Sequence, residues 1–346
     1  MGNRYSSRYP SVLLLGVVPS LTWAVARCLR CAGGAPLVLG WHRWSPMQWT
    51  NDCRRYLPWE GLVRSGEQLD TVALWRVRDL CRGGRIDAVM GADYDTALLL
   101  ADTQRLADIP ACAVPTASTI STFNNKWNLV RLLDQLELPH PPSRWVGDAA
   151  SLLATDLPFP MITKPLDMWA SVGFQVHDSQ SALAQTIERG RLAAHFPLIA
   201  QAYVPGWDVG ASFLASSGRL VAYSVFQHRR RGERVFYDSP RVRDYVDRFV
   251  SATGYSGVGH LDLRYDPQTD RYAILELNPR FWASLLYARR AGVNYPDLLL
   301  RAGAAPSVGV LTARPGTVRL PWYEALMTVT MRWAAAAYER SSGVRL

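Results

Sequence analysis

GHLDLRYDPQTDRYAILELNPRF, residues 259–281, decides how the rest of the chain is read. Two runs of alternating character flank DPQTD, a cluster of turn formers, and the pattern predicts a β-hairpin. Successive strand residues point to opposite faces, so Glu276 and Asn278 share a face, and Ile274 shares it with them. With Asp266 paired to Tyr272 across a five-residue loop, Asp262 lies opposite Glu276. A slip of one residue sends the two carboxylates to opposite faces.

In the aligned register two carboxylates and an amide oxygen converge with no apolar partner. Like charges that close repel unless a cation sits between them. Hard oxygen donors in this number suit Mg2+, with Mn2+ as an alternative, sharing its coordination with phosphates and water. A solvated hairpin face, its acids paired with nearby arginines, is the competing reading of the same spacing. Arg280 follows directly, and its planar fork suits a phosphate or carboxylate.

Of the 38 basic residues, Lys126 and Lys164 are the only lysines. A drift toward arginine explains most positions, since either cation serves on a solvated surface. Lysine is a compact point charge on a flexible stem, so the two survivors mark places where a broad guanidinium does not fit, or else are survivors by chance. Around the first, NNKWNLVRLLDQLELPHPP sets Leu129, Val130, Leu132, Leu133 and Leu136 on one helical face, with Asn124 or Asn125 as cap and prolines as stop. Lys126 then stands at the positive end of the helix dipole, a conflict that a nearby anion relieves. Around the second, a strand MITK, a loop PLDMWASVG, a strand GFQVH and a helix closed by Gly190 form a unit whose loop can fold backbone N–H groups over phosphate.

From Ser11 to about Val114, short apolar runs (SVLLLGVV, PLVLG, IDAVM, ACAV) alternate with helical stretches such as TALLLADTQRLAD, the rhythm of a mostly parallel sheet. No GxGxxG follows the first strand, so a dinucleotide fingerprint is missing. MGNRYS fits a myristoylation pattern and the first 26 residues resemble a signal peptide. Strand, turn, helix and strand is the preferred reading, because removing the segment leaves PLVLG without its partner. No apolar run is long enough to span a bilayer.

At 346 residues and 49% hydrophobic, the chain can build two or three packed lobes. Five cysteines at irregular spacing are not a disulfide framework, and a reducing cytoplasm is the simpler setting. Cys28 and Cys31 form a CxxC late in a helix, with no second pair to complete a metal site. A net charge of +9 suits a nucleotide, RNA or a membrane surface. The arginines are scattered, the densest cluster being HRRRGER at 228–234, and with no nucleic-acid motif present no nucleic-acid partner is expected. In the tail, Trp322, Leu326, Val329 and Trp333 form one helical stripe expected to pack on the body, with a membrane-surface or homodimer contact as the alternative.

ELNPR, HLDLR, NNKW and MITKP together resemble the ATP-grasp superfamily, closest to the carboxylate-amine ligases and the biotin carboxylase branch. The resemblance runs from about Ser11 to Leu300 with the elements in the expected order. It implies a fold of α/β and α+β class: an N-terminal parallel α/β (pre-ATP-grasp) domain over 1–115, followed by a two-lobed ATP-grasp fold. The small lobe with its linker helix then covers 116–204, the large lobe with the metal site 205–310, and a helical tail 311–346. Asp262, Glu276 and Asn278 are the implied magnesium ligands, and both lysines fall in elements that grip ATP phosphates. LIAQAYVPGWDVG resembles the segment between the lobes, which implies that the backbone of Gln201, Ala202, Tyr203 and Val204 faces adenine and that Asp208 holds the ribose. Gln201 and Ala202 stand where many relatives carry an acid. ASVG, with Ser171 and Gly173, looks like a shortened phosphate loop, and RRRGERV is similar to a basic stretch of biotin carboxylases, which offers Arg234 to phosphate or substrate.

The activity so implied is a cytoplasmic ATP-dependent ligase. It joins a small carboxylate and an amine, amino acids among them, through an acyl phosphate, with release of ADP and phosphate. Arg280 and Arg234 would steady the acyl phosphate or the tetrahedral intermediate. His260 is either the acceptor of the amine's proton or a structural histidine. Carboxylation through carboxyphosphate, and ATP binding without turnover, are the alternatives.

Overall fold

The computed structural model describes residues 9–40, 43, 45–58, 71–84, 86–101, 108–167, 173–229, 232–302 and 309–342. MGNRYS, Ser171, two arginines of the 228–234 cluster and the end of TALLLADTQRLAD lie outside the described residues.

The first sheet is parallel, in the order Arg55–Pro58, Leu37–Gly40, Val12–Gly16, Ala88–Gly91. Its central strand is VLLLG, buried throughout, as a strand covered by helices on both faces must be. The helix Pro19–Cys31 follows, with proline in its first turn where a missing N–H costs nothing. Asp93 Oδ2 accepts from the N–H groups of Val17 and Val18 at 2.6 and 2.8 Å, which ties down the turn into this helix. ACAV contributes only a bridge between Val89 and Ala111 rather than a strand.

The second sheet is antiparallel, in the order Ser143–Val146, Leu198–Ala202, Met161–Pro165, Gln175–His177. Val146, Leu152, Met161, Leu183 and Leu198 fill the core beneath it. The third sheet has seven strands, running Arg271–Asn278, Gly257–Asp266, Trp207–Ser216, Arg219–His228, Glu233–Tyr237, Gly316–Arg319, with Leu311–Thr312 beside Arg219–His228. The helix Pro240–Thr253 covers one face, its start capped by the Ser239 hydroxyl and its end turned by Gly254 at φ +61°. Phe213, Phe249 and Tyr255 meet beneath it with ring centroids 5.3–6.4 Å apart.

The 259–281 hairpin forms, with two departures from strict alternation. The turn closes one residue tighter than expected, pairing Asp266 with Arg271 and Leu263 with Ile274. A β-bulge at Leu275 then absorbs one residue and restores Asp262 opposite Glu276. Ile274 therefore does not share a face with Glu276. It lies in the large-lobe core with Leu277, while Leu275 and Glu276 both border the cavity described below. The bulge follows from the sequence ILEL, because two core residues three apart cannot both face inward in a regular strand.

The tail is not wholly helical: Leu311–Thr312 and Gly316–Arg319 join the large sheet before the helix Trp322–Ser342 begins. Its stripe does not pack on the body. Trp322, Leu326, Val329 and Trp333 are 77%, 55%, 59% and 68% exposed. The docked face is the opposite one. Met331 is fully buried, and Glu324 is held by Arg27, Arg289 and Arg290 at 3.3, 2.7 and 3.9 Å. A buried carboxylate needs cations, and those arginines lie on the body, so Glu324 sets which way the helix faces.

Candidate active site

A cavity of about 640 Å3 lies where the three sheets meet. The parallel sheet offers Ser20 and Leu21 from the start of its first helix, and the small antiparallel sheet offers Ile162 and Lys164. The large sheet offers Asp262, Glu276 and Asn278 from the hairpin.

Lys126 is the first residue of the helix Lys126–Gln135, which Asn125 caps by accepting from the N–H groups of Trp127 and Asn128 at 3.1 and 3.0 Å. The Lys126 N–H in turn donates to Leu166 O at 3.0 Å, joining the helix to the chain just past Lys164. Lys126 is buried, with Nζ 4.0 Å from Glu276 Oε1. Lys164 is buried at the end of its strand. Burial lowers its ammonium to about 8, Lys126 pushing the same way and Glu276 and Asp262 opposing. Two buried ammonium groups at one cavity are costly in the absence of an anion.

Asn278 Nδ2 donates to Asp262 Oδ2 at 3.0 Å, leaving its amide oxygen as the atom to meet a cation. Burial works to raise the Asp262 carboxyl, but the ring of His260, 3.3 Å away, with His228 and Arg280 adding to it, holds the carboxyl below the usual carboxylate range. His260 is itself sandwiched between Trp282 and Phe226 and hydrogen-bonded through Nδ1 to Ser212 Oγ at 2.9 Å. That surrounding favours the structural reading of this histidine. Among the described residues no three His, Cys, Asp or Glu side chains gather into a metal cluster of their own. Two carboxylates and an amide oxygen fit a divalent cation that completes its shell with phosphate and water.

Arg280 lines the cavity half-buried, and desolvation lowers its guanidinium pKa, with Glu276, Asp93 and Asp262 opposing. Arg234 also lines it. Its guanidinium lies over the Tyr287 ring at 4.9 Å, and its Nε has no acceptor. Ala202, Tyr203, Val204 and Asp208 also line the cavity. Gln201 does not border the cavity: its strand is paired on both sides, and its side chain donates to Ser143 Oγ at 2.8 Å. The N–H groups of Ala202 and Tyr203 are already given to Pro142 O and Pro160 O. Gly173 stays outside the cavity wall. Its φ of +70° and the 2.7 Å from a would-be Cβ to Pro165 require glycine there, while Phe174 beside it borders the cavity.

Three lining residues were not among those the sequence singled out. Arg264 pairs with Asp208 at 3.0 Å, donates to Gly206 O at 2.7 Å and lies over the Tyr203 ring at 5.3 Å. It stands in HLDLR two residues beyond Asp262, so strand alternation alone could have placed it on the Asp262 face. His228, whose imidazole is lowered to about 4 by burial and by Arg234, and Trp282 also line the cavity and have no such pointer.

Residues 195–324 match the family described as "ATP-grasp in the biosynthetic pathway with Ter operon". Those 130 residues, of the chain's 346, belong to the ATP-grasp superfamily. Its curated relatives include the arginine-specific carbamoyl phosphate synthase large chain of Geobacillus stearothermophilus, 23% identical over 201 residues, covering 54% of this chain and 19% of that one. The D-alanine–D-alanine ligase of Gluconobacter oxydans is 27% identical over 194 residues, covering 48% and 62%. The chain thus spans less than two thirds of either relative. Among solved structures, the biotin carboxylase domain of Hydrogenobacter thermophilus 2-oxoglutarate carboxylase superposes with a TM-score of 0.67 at 14% identity, over 88% of this chain and 72% of that one. The L-amino acid ligase of Bacillus licheniformis does so with 0.65 at 16% identity, over 87% and 76%. This likeness carries the mixed α/β fold with its parallel N-terminal sheet. No helix among the described residues is long and apolar enough to cross a membrane.

Proposed function

We propose that this protein is an ATP-dependent carboxylate-amine ligase that forms an amide bond through an acyl phosphate. What supports the reading is one observation: both lysines of the chain and the trio Asp262, Glu276 and Asn278 border a single cavity, with Arg280 and Arg234 beside them. In this reading Lys126 and Lys164 hold the phosphates, and Ala202, Tyr203 and Val204 flank adenine. Asp208, oriented by Arg264, accepts from the ribose hydroxyls. The domain boundaries that go with it are 1–115, 116–204, 205–310 and 311–346.

A substrate carboxylate oxygen attacks the γ-phosphorus in line, the bond to the bridging oxygen breaks, and ADP leaves. The lysines offset the charge that spreads over the phosphoryl oxygens. Magnesium held by Asp262, Glu276 and Asn278 would supply further neutralisation of that charge. Arg280 and Arg234 orient the acyl phosphate and meet the oxyanion that forms when the amine attacks the acyl carbon. Phosphate departs, the amine loses a proton to solvent, and the amide remains.

A screen of ADP release over amino acids and small acids, paired with amines, tests this. Lys164→Ala and Glu276→Ala should each lower turnover by on the order of 100-fold or more. Full activity in either would overturn the assignment. A second reading, carboxylation through carboxyphosphate, draws on the likeness to a biotin carboxylase domain and to the N5-carboxyaminoimidazole synthetase of Staphylococcus aureus. ADP release that depends on bicarbonate rather than on a carboxylate and an amine would select it.

A further inference from the structure

The C-terminal helix presents an apolar seam that the fold does not use. Trp322, Leu326, Val329 and Trp333 are spaced four, three and four residues apart, the period of a coiled-coil seam. At about 100° per residue they fall within one narrow sector, and Glu324, Met327 and Met331 fall on the opposite side. The latter side holds the helix to the body through the Glu324 arginine cluster and Met331. The seam is therefore displayed outward on a helix whose rotation is fixed. Dropping all four apolar residues would cost the body no contact that its core needs.

We propose that this seam is the self-association surface of the protein, pairing antiparallel with the same seam of a second copy about a two-fold axis between Leu326 and Val329. Three observations choose that occupant. With ~150–250 Å2 for a large aromatic side chain, the seam and the adjoining Tyr323 offer on the order of 600 Å2, most of the ~800 Å2 per partner of a standard interface. Ala325, Thr330, Ala336 and Ala337 flank the seam and are small and uncharged, so two backbones can approach closely. The scarcity of charge then separates the second copy from a lipid surface. Residues 322–337 carry only Glu324 and Arg332 as charged side chains, and Glu324 is buried. A helix built to lie in an anionic membrane surface sets several cations along its polar flank. Here Arg332 is the one exposed charge along that span.

The inference is independent of the reaction proposed above, and its test does not involve catalysis. Light scattering coupled to size exclusion, across a concentration series of the full chain, should give twice 38.6 kDa at micromolar protein. Leu326→Glu together with Val329→Glu should halve the mass with an unchanged far-UV circular dichroism spectrum, since both positions face solvent in the single chain. A second variant, Leu326→Ala, should raise the concentration of half-dissociation by on the order of tenfold per ~1.4 kcal/mol lost. A wild type monomeric throughout the series would overturn the proposal, and so would a Glu variant that keeps the dimer mass. Flotation of the wild type, but not the Glu variant, with phosphatidylglycerol vesicles as a monomer would overturn it in favour of a lipid surface.

Discussion

Lys164 shows what the site costs the nucleotide-free protein. Its ammonium is lowered from 10.5 to about 8, chiefly by burial. Between those two values the unfolded chain holds more protons than the folded one, so stability rises with pH across that window, and the penalty is present in full below about 8. Lys164→Met should therefore stabilise the nucleotide-free protein at pH 7 by on the order of 3 kcal/mol, read as a higher melting temperature. The same variant should lose nucleotide binding in calorimetry. Binding of ATP to the wild type near pH 8 should be accompanied by proton uptake, visible as a dependence of the binding enthalpy on buffer ionisation. At His260 the hydrogen bonds to Ser212 and Asp262 predict a positioning role. His260→Leu should weaken Mn2+ binding by about 10–100-fold in a paramagnetic titration, with part of the loss restored by His260→Asn. A general base would instead show as a fall in kcat at unchanged metal affinity. The lysine pair was legible in the sequence because rarity singled it out. Arg264, His228 and Trp282 had no comparable mark.

At the scale of an element, the Leu275 bulge is the feature that strict alternation misses. The expected loop was one residue too long and the expected strand one residue too regular, and the two differences cancel at Asp262 and Glu276. The carboxylate pairing was thus legible while the path to it was not, because turn length and bulge both depend on which residues the core accepts. Ile274→Ala and Leu275→Ala separate the two arrangements. Ile274 is in the core, so its truncation should cost about 2–4 kcal/mol in chemical denaturation and leave nucleotide affinity nearly unchanged. Truncation of Leu275 should cost under ~1 kcal/mol and show in nucleotide affinity instead. A regular strand would give the reverse pattern.

Across the whole molecule, Glu324 joins the C-terminal helix to the helix Pro19–Cys31 through Arg27 and to the helix Leu285–Arg290 through Arg289 and Arg290. Removing its charge leaves three arginines facing one another, and Glu324→Gln should destabilise by about 3 kcal/mol in urea unfolding. The stripe opposite shows the limit of periodicity: Trp322, Leu326, Val329 and Trp333 mark an apolar face correctly, but Glu324, a charged residue, chose the face that docks. The amino-acid sequence by itself determined the first parallel strands, the Asn125-capped helix, the hairpin, and the residue types able to hold a triphosphate and a divalent cation, because these depend on neighbours within a few positions. Tertiary structure alone decided that Lys126, Lys164, Arg234 and Glu276, spread over some 150 residues, share one cavity, and that Gln201 is left out of it. Local periods report which way a side chain points from its own element, whereas the meeting of three sheets is settled by packing and by buried charges finding their partners.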